Sequence, residues 1–252
     1  MAIYLKSPRE IELMAQAGRL LAEVMDELAA RVRPGVTTAE LDRVAHREIL
    51  KRGAKPAFLG YQGFPATICA SPNEVVVHGI PSDRPLEEGD LLSVDVGLFY
   101  KGFAADMART FPVGRVSEEA ERLARVAEEA FWEGVKQAEV GKRVGDISAA
   151  IQRRVEDEGF WVVREFVGHG IGREFHEEPQ VPNLGRPGTG PKLRPGMVLA
   201  VEPMITLFPA NVVVLQDGWT ASAGRGNLAA HYEHTVAITE DGPRVLTLKG
   251  EE

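Results

Sequence analysis

Residues 91–111, LLSVDVGLFYKGFAADMARTF, read as two strands joined by a tight turn. The apolar runs Leu91–Leu98 and Phe103–Phe111 flank Tyr100-Lys101-Gly102, which is a hairpin signal. With Lys101-Gly102 as the loop, Phe103 pairs with Tyr100 and Asp106 falls opposite Gly97. Side chains alternate between the faces of a sheet, so Asp95, two residues before Gly97, projects from the same face as Asp106. Leu92, Val94, Val96 and Leu98 surround the first aspartate, and Phe103, Ala104 and Ala105 precede the second. Two carboxylates buried this close repel each other unless a proton or a metal ion neutralises them.

Helical sequence lies on both sides of the hairpin. Ser7-Pro8-Arg9-Glu10 has a capping Ser, a Pro at the first helical position and a Glu positioned to close a capping box. Ile11, Met14, Leu21, Val24, Met25 and Leu28 then recur at helical spacing until Pro34-Gly35. Thr37 and Glu40 form a second capping box, opening a helix with Leu41, Val44, Ile49 and Leu50 that ends near Gly53. The plan recurs after the hairpin: Gly35 and Gly141, and again Gly53 and Gly159, stand 106 positions apart. At that offset Leu21 meets Ala127, Met25 meets Phe131, Leu41 meets Ile147, Ile49 meets Val155, and Glu40 meets Asp146. The repeat predicts two similar αβ halves, roughly 7–112 and 117–240, related by an approximate two-fold axis with a site between them. Further strands are expected at Trp161–Val167, Met197–Thr206, Val212–Leu215 and Tyr232–Thr239, with Pro- and Gly-rich loops over 179–196.

More charge sits in these strands. Glu202 lies within VLAVEPMIT and Glu233 within HYEHTVAIT, and a charged residue inside an apolar strand is uncommon without a partner. Any one of them alone reads as an edge position or a buried ion pair; together they point to a shared ligand. His169, in FVGHGIGREFHEEPQVPN, follows an apolar stretch, and its flanking glycines permit close backbone approach. Gly168, Gly170 and Gly172 make a poor nucleotide loop: no P-loop lysine follows, and Pro179 and Pro182 disfavour the helix that would hold phosphate. Carboxylates with one imidazole are hard ligands suited to Mn, Fe(II), Co or Zn. Shared carboxylates suit two such ions about 3.5–4 Å apart, the arrangement that activates water for hydrolysis.

At 252 residues the chain suits one large or two small domains, and we expect a single domain over 1–252. The net charge of −8 argues against a nucleic-acid partner. One cysteine, Cys69, excludes an intrachain disulfide and any CxxC zinc site. No apolar run approaches the roughly 18 residues of a membrane span, nor does the N-terminus carry a signal core, so a cytoplasmic protein is expected.

The ordered set Asp95, Asp106, His169, Glu202, Glu233 resembles the ligands of methionine aminopeptidases, as do NEVVVHGIP around His78, GHGIGREFHEEPQ, VEPM and YEHT. The resemblance runs from about Ser7 to Thr239. It is to the short bacterial-type form: an N-terminal zinc-binding extension is not expected, and only 31 positions separate Glu202 from Glu233. It implies an α/β (α+β) pita-bread fold, two pseudo-two-fold-related αβ halves around a central antiparallel sheet. It further implies two divalent ions (Co, Mn, Fe(II) or Zn), bridged by Asp106 and Glu233, with Asp95 on one and His169 and Glu202 on the other. Glu202 would accept a proton from the attacking water, and His78 and His176 would hydrogen-bond the scissile amide and its developing charge. A methionine pocket would be lined by Tyr61, Phe64, Cys69, Phe175 and Trp219, whose bland reading is core packing.

Three positions depart from the bacterial pattern: Phe58 and Phe64 stand where cysteine and tyrosine are usual, and His231 replaces glutamine. His231 should share a strand and a face with Glu233; of the two arrangements open to it, reaching the metals or pointing into a solvent gap, we expect the second. The implied partners are N-termini of nascent polypeptides, with transient ribosome contact, no membrane, no nucleic acid, and a monomeric state. Two alternatives compete. A prolidase- or aminopeptidase P-like hydrolase of the same fold usually carries a further N-terminal domain. A binding module that has lost catalysis would typically lack the ligands present here.

Overall fold

The computed structural model describes residues 2–249. Helices α1 (Pro8–Ala29) and α2 (Thr38–Lys51) begin at the expected caps, with Ser7 and Thr37 side chains accepting from the N–H groups of Glu10 and Glu40. Helices α3 (Glu118–Val135) and α4 (Val144–Asp157) form the second pair. Both ends of α4 lie 106 positions after those of α2, and the Asp146 carboxylate accepts the Arg143 N–H at 2.7 Å as Glu40 accepts that of Thr37 at 2.8 Å. Gly35 and Gly141 have φ of 90° and 93°, a left-handed turn that glycine adopts without a Cβ penalty. The two helical pairs thus repeat one plan at the expected offset.

A nine-stranded, curled sheet fills the centre, with every pairing antiparallel. The hairpin register is the expected one: Leu91–Tyr100 and Phe103–Pro112 pair Tyr100 with Phe103 and Gly97 with Asp106. Lys101 and Gly102 both have positive φ, 50° and 83°, the backbone that a two-residue turn needs to match strand twist. Val94, Val96, Leu98, Ala105 and Met107 join Leu21, Met25, Leu28, Leu41 and Ile49 of α1 and α2 in one buried cluster. In the other half, Leu199, Val201, Val236 and Ile238 pack with Leu123, Phe131, Ile147 and Ile151 of α3 and α4. Each such fully buried aliphatic side chain stabilises the fold by about 1.5–3 kcal/mol, so these cores offset a cost of several kcal/mol for each buried charge. By alternation, Asp95, Asp106 and Glu233 project from the sheet face opposite the helices.

Several strands differ from expectation. Met197–Thr206 splits at Glu202-Pro203: Val198–Val201 stays in the central sheet, while Met204–Thr206 joins a three-stranded sheet with Ala229–His231 and Trp161–Val162. Proline has no N–H to continue the ladder, so the chain changes sheets there. Glu202 therefore sits at a sheet junction, not mid-strand. Trp161–Val167 shortens to Trp161–Val162, and the polar Arg164-Glu165 bend leads to a separate strand at Gly168–Gly170. Tyr232–Thr239 begins at Glu233, with Tyr232 a bend between sheets. Val212–Leu215 reduces to exposed Val213–Val214. Part of the Pro-rich 179–196 segment is strand: Glu177–Val181 forms an edge of the central sheet, where a proline costs no inward hydrogen bond.

Candidate metal centre

Asp95, Asp106, His169, Glu202 and Glu233 converge from five separate segments of the chain. Donor atoms of Asp106, His169 and Glu233 lie within 4.8 Å of one another, and so do those of Asp95, His231 and Glu233. His169 Nε2 is 3.7 Å from Asp106 Oδ2 and 3.5 Å from Glu202 Oε1. Its Nδ1 lies 2.8 Å from the Gly170 carbonyl, which takes the ring proton and leaves the Nε2 lone pair for a metal. Asp106 and Glu233 are 3% and 1% exposed. Asp95 Oδ1, Asp106 Oδ1 and both Glu233 carboxylate oxygens are enclosed without a hydrogen-bond partner among the described residues. Enclosed, unpartnered oxygens beside an imidazole are the donor set of a divalent metal site, so the residues fit the ions implied by the chemistry.

Burial is the main electrostatic influence. Desolvation pushes Asp95 well above the usual carboxylate range, with the charge of Asp106 adding to it. Asp106 is raised the same way, with Glu202 second, and Glu233 likewise, with Asp106 second. Glu202 is pushed up to about 7 by desolvation. Without metal, then, the folded protein holds protons that the unfolded chain releases. Acids raised on folding lend stability below their unfolded pKa, and it is lost as pH rises through the folded value. Imidazoles lowered on folding act oppositely, but only below about 6.5, where the unfolded histidine protonates. Above about pH 6.5, through the Glu202 value near 7, the raised carboxylates set the slope. The Tm of chelator-treated protein should therefore fall as pH rises across that window, and saturating Mn or Co should flatten the curve. A chelated protein with a flat or rising Tm there contradicts the buried acidic cluster.

The centre opens into a cavity of about 290 Å³ lined by Asp95, Asp106, His169 and Glu202, and also by every sequence-expected pocket residue. Tyr61, Phe64, Cys69, Phe175 and Trp219 form its walls with Phe58. Phe58 meets Phe175 edge-on at 5.2 Å, and Phe64 meets Trp219 at 5.1 Å. The Phe58 and Phe64 departures thus keep the wall apolar. Cys69 lies across from Asp95 in register, and burial, with Asp95 next, pushes its thiol up, so it behaves as a small apolar group.

His78 and His176 also line the cavity. His78 has φ of 60°, a backbone that non-glycine residues adopt at a cost of about 1–3 kcal/mol and that clusters at functional sites. Desolvation holds its imidazole down to about 4, so it is neutral in neutral solution. His176 is exposed at one edge, lies 4.2 Å from the His169 ring, and brings Nδ1 to 2.7 Å from the Tyr61 hydroxyl.

His231 overturns the expectation of a solvent gap. It is 1% exposed, and Nε2 sits 3.3 Å from Glu202 Oε2 and 3.6 Å from Glu233 Oε2. Nor does it share a strand with Glu233; the Tyr232 bend turns both side chains toward the cluster. Other contributors escaped the sequence reading. Thr235 Oγ1 accepts the Asp106 N–H at 3.0 Å and donates to the Asp106 carbonyl at 2.9 Å; its period-two spacing from Glu233 was the available signal. Phe166 and Met204 also line the cavity. A Cβ at Gly97 would come within 2.6 Å of the Phe175 ring, so glycine there lets the ring lie over the strand.

The sequence pattern of metallopeptidase family M24 matches residues 12–240. A methionine aminopeptidase from Clostridium perfringens is 54% identical over 98% of this chain and 99% of its own length. The crystal structure of the methionine aminopeptidase from Rickettsia prowazekii superposes with a TM-score of 0.96 at 40% identity, covering 98% of this chain and 100% of the other. A prolidase from Pyrococcus furiosus reaches 0.79 at 23% identity, with 66% of that chain covered, a likeness of fold alone.

Proposed function

The chain belongs to metallopeptidase family M24, among the methionine aminopeptidases, and from that premise we propose how its residues remove an N-terminal methionine. The observation carrying the proposal is that Asp95 and Asp106, each with an enclosed and unpartnered carboxylate oxygen, line the aromatic cavity together with His169 and Glu202. Asp95, Asp106, His169, Glu202 and Glu233 would hold the divalent ions, Asp106 and Glu233 as ligands common to both, Asp95 on one and His169 with Glu202 on the other. Bound ions of this kind supply Lewis acidity, lowering the pKa of a water and polarising a carbonyl.

The chain's own residues do the rest. The cavity takes the methionine side chain against Phe58, Phe64, Phe175 and Trp219, where a charged side chain would lose its hydration without a partner. Glu202, whose carboxyl titrates near neutrality, accepts the proton of the attacking water. His78 and His176, on the cavity walls, hydrogen-bond the scissile amide and the charge that grows on its oxygen. The unit acting is the single domain, and its substrates are fresh N-termini of polypeptides in the cytoplasm, met by a monomer in transient contact with the ribosome. No helix among the described residues is long and apolar enough to cross a membrane.

The second residue of the substrate must pass between the acidic cluster and the two histidines, so only a small one fits. Met-Ala, Met-Gly and Met-Ser peptides should be cut well, and Met-Leu, Met-Lys and Met-Glu poorly. A bulky neighbour displaces the amide from its attack geometry, so the loss should appear in kcat/KM, by at least about 100-fold for Met-Leu against Met-Ala. Steady-state kinetics on two peptides with identical tails decide it. Equal values, or faster release of leucine or proline than of methionine, would overturn the substrate assignment and leave the metal chemistry standing.

A further inference from the structure

His231 stands outside the ligand set assigned above, yet its surroundings match those of His169. His231 Nε2 lies 3.3 and 3.6 Å from the Glu202 and Glu233 carboxylates, and His169 Nε2 lies 3.5 and 3.7 Å from those of Glu202 and Asp106. Donors bound at about 2.0–2.2 Å around one tetrahedral ion stand roughly 3.4 Å apart, a spacing that His231 Nε2 and the Glu233 oxygen, 3.6 Å from each other, come close to on the Asp95 side. A charge-assisted hydrogen bond between imidazole and carboxylate would be shorter, about 2.7–2.9 Å. His231 Nε2 is also enclosed without a hydrogen-bond partner among the described residues, an arrangement costly for a ring nitrogen that binds nothing. The backbone fixes the ring's origin: the His231 N–H donates to Thr110 Oγ1 at 2.9 Å, and Thr110 Oγ1 donates back to the His231 carbonyl at 2.9 Å. Donor atoms of Asp95, His231 and Glu233 all fall within 4.8 Å of one another, a span one ion can bridge after small side-chain movements.

We propose that His231 Nε2 is a further metal ligand, binding the ion held by Asp95 and Glu233, so that each ion of the pair receives one imidazole. The inference rests on the two-metal reading above. Its consequence is that the Asp95 site, otherwise built of carboxylates alone, gains a nitrogen ligand and binds borderline metals such as Co(II) or Zn more tightly.

Metal affinity by itself does not separate a ligand from a residue that merely hydrogen-bonds one, since losing such an outer partner also costs about 10–100-fold. Counting coordinated imidazoles does. The full chain is loaded with Co(II) under calorimetric titration, and its proton NMR spectrum is recorded in H2O and in D2O. Imidazole N–H protons of cobalt-bound histidines appear as strongly shifted, exchangeable signals. Two are expected from the protein as it is and one from His231→Gln, together with at least about 10-fold weaker binding of one ion and unchanged binding of the other. Two bound ions with a single shifted imidazole overturn the proposal while leaving the two-metal reading intact. Binding of only one ion overturns both. The unsubstituted protein's own signal count decides even where His231→Gln fails to fold.

Discussion

Asp106→Ala and Glu233→Ala should each lose at least one metal ion per chain and cut turnover by more than about 1,000-fold, the largest effects expected for any single substitution. Glu233 belongs to both donor groupings and Asp106 to the one with His169, and both carry oxygens with no hydrogen-bond partner among the described residues. Under the proposed assignment, removing either would take away a bridging ligand and leave the remaining carboxylates facing each other with less charge compensation. Asp106→Asn keeps the shape and the Thr235 contacts, which run to the Asp106 backbone, so it separates loss of charge from loss of packing. It too should lose metal. Metal content by elemental analysis, with turnover on a Met-Ala peptide, is the measurement. A variant that retained both ions and normal turnover would refute the assignment of Asp106 or Glu233 as a bridge.

His78→Ala and His176→Ala should behave in the opposite way, keeping their metals while turnover falls by roughly 100- to 1,000-fold, the usual loss for one transition-state hydrogen-bond donor. Neither belongs to the groups of donors that close on one another within 4.8 Å. His78 is held between rings, edge-on to Phe166 at 5.3 Å and to Trp219 at 6.5 Å, and His176 is tied to Tyr61. The fall should lie mainly in kcat, because the contact strengthens as charge develops and contributes little to ground-state binding. His78 has a left-handed backbone, which asparagine tolerates better than alanine and which leaves an amide donor in place. His78→Asn should therefore recover part of the lost rate. Loss of metal from either alanine variant would overturn the assignment of that histidine as a hydrogen-bond donor that leaves the metals in place.

How much of this could be read from residues in a row depends on how far apart the interacting groups are. Helix starts are local events, settled by a side chain three positions from the backbone group it satisfies, as Ser7 with Glu10 and Thr37 with Glu40 demonstrate. The 91–112 hairpin is nearly as local, because a two-residue turn sets the register of every later pair, and Asp95 and Asp106 followed from it. The apolar periodicity of the helices determined which faces they bury, and the 106-residue offset between them carried the symmetry. The list of acidic residues and the motifs around them determined the family.

Tertiary structure decided the rest. The apolar residues on either side of Glu202 in VLAVEPMIT predict a mid-strand position, but a strand's identity depends on its partners, and Pro203 hands the chain from one sheet to another. The same switch at Tyr232 decides where His231 points: two residues of one strand would share a face by simple alternation, whereas residues of two sheets share a target only if the bend between them directs them there. The closeness of Phe175 to Gly97, and of Thr235 to Asp106, likewise joins positions 78 and 129 apart in the chain. Sequence by itself determined the elements, the hairpin register and the ligand types, since these rest on short-range geometry and composition. Which donors lie close to one another was decided only by the packing of the curled sheet, since a carboxylate's partners there come from strands that no local rule brings together.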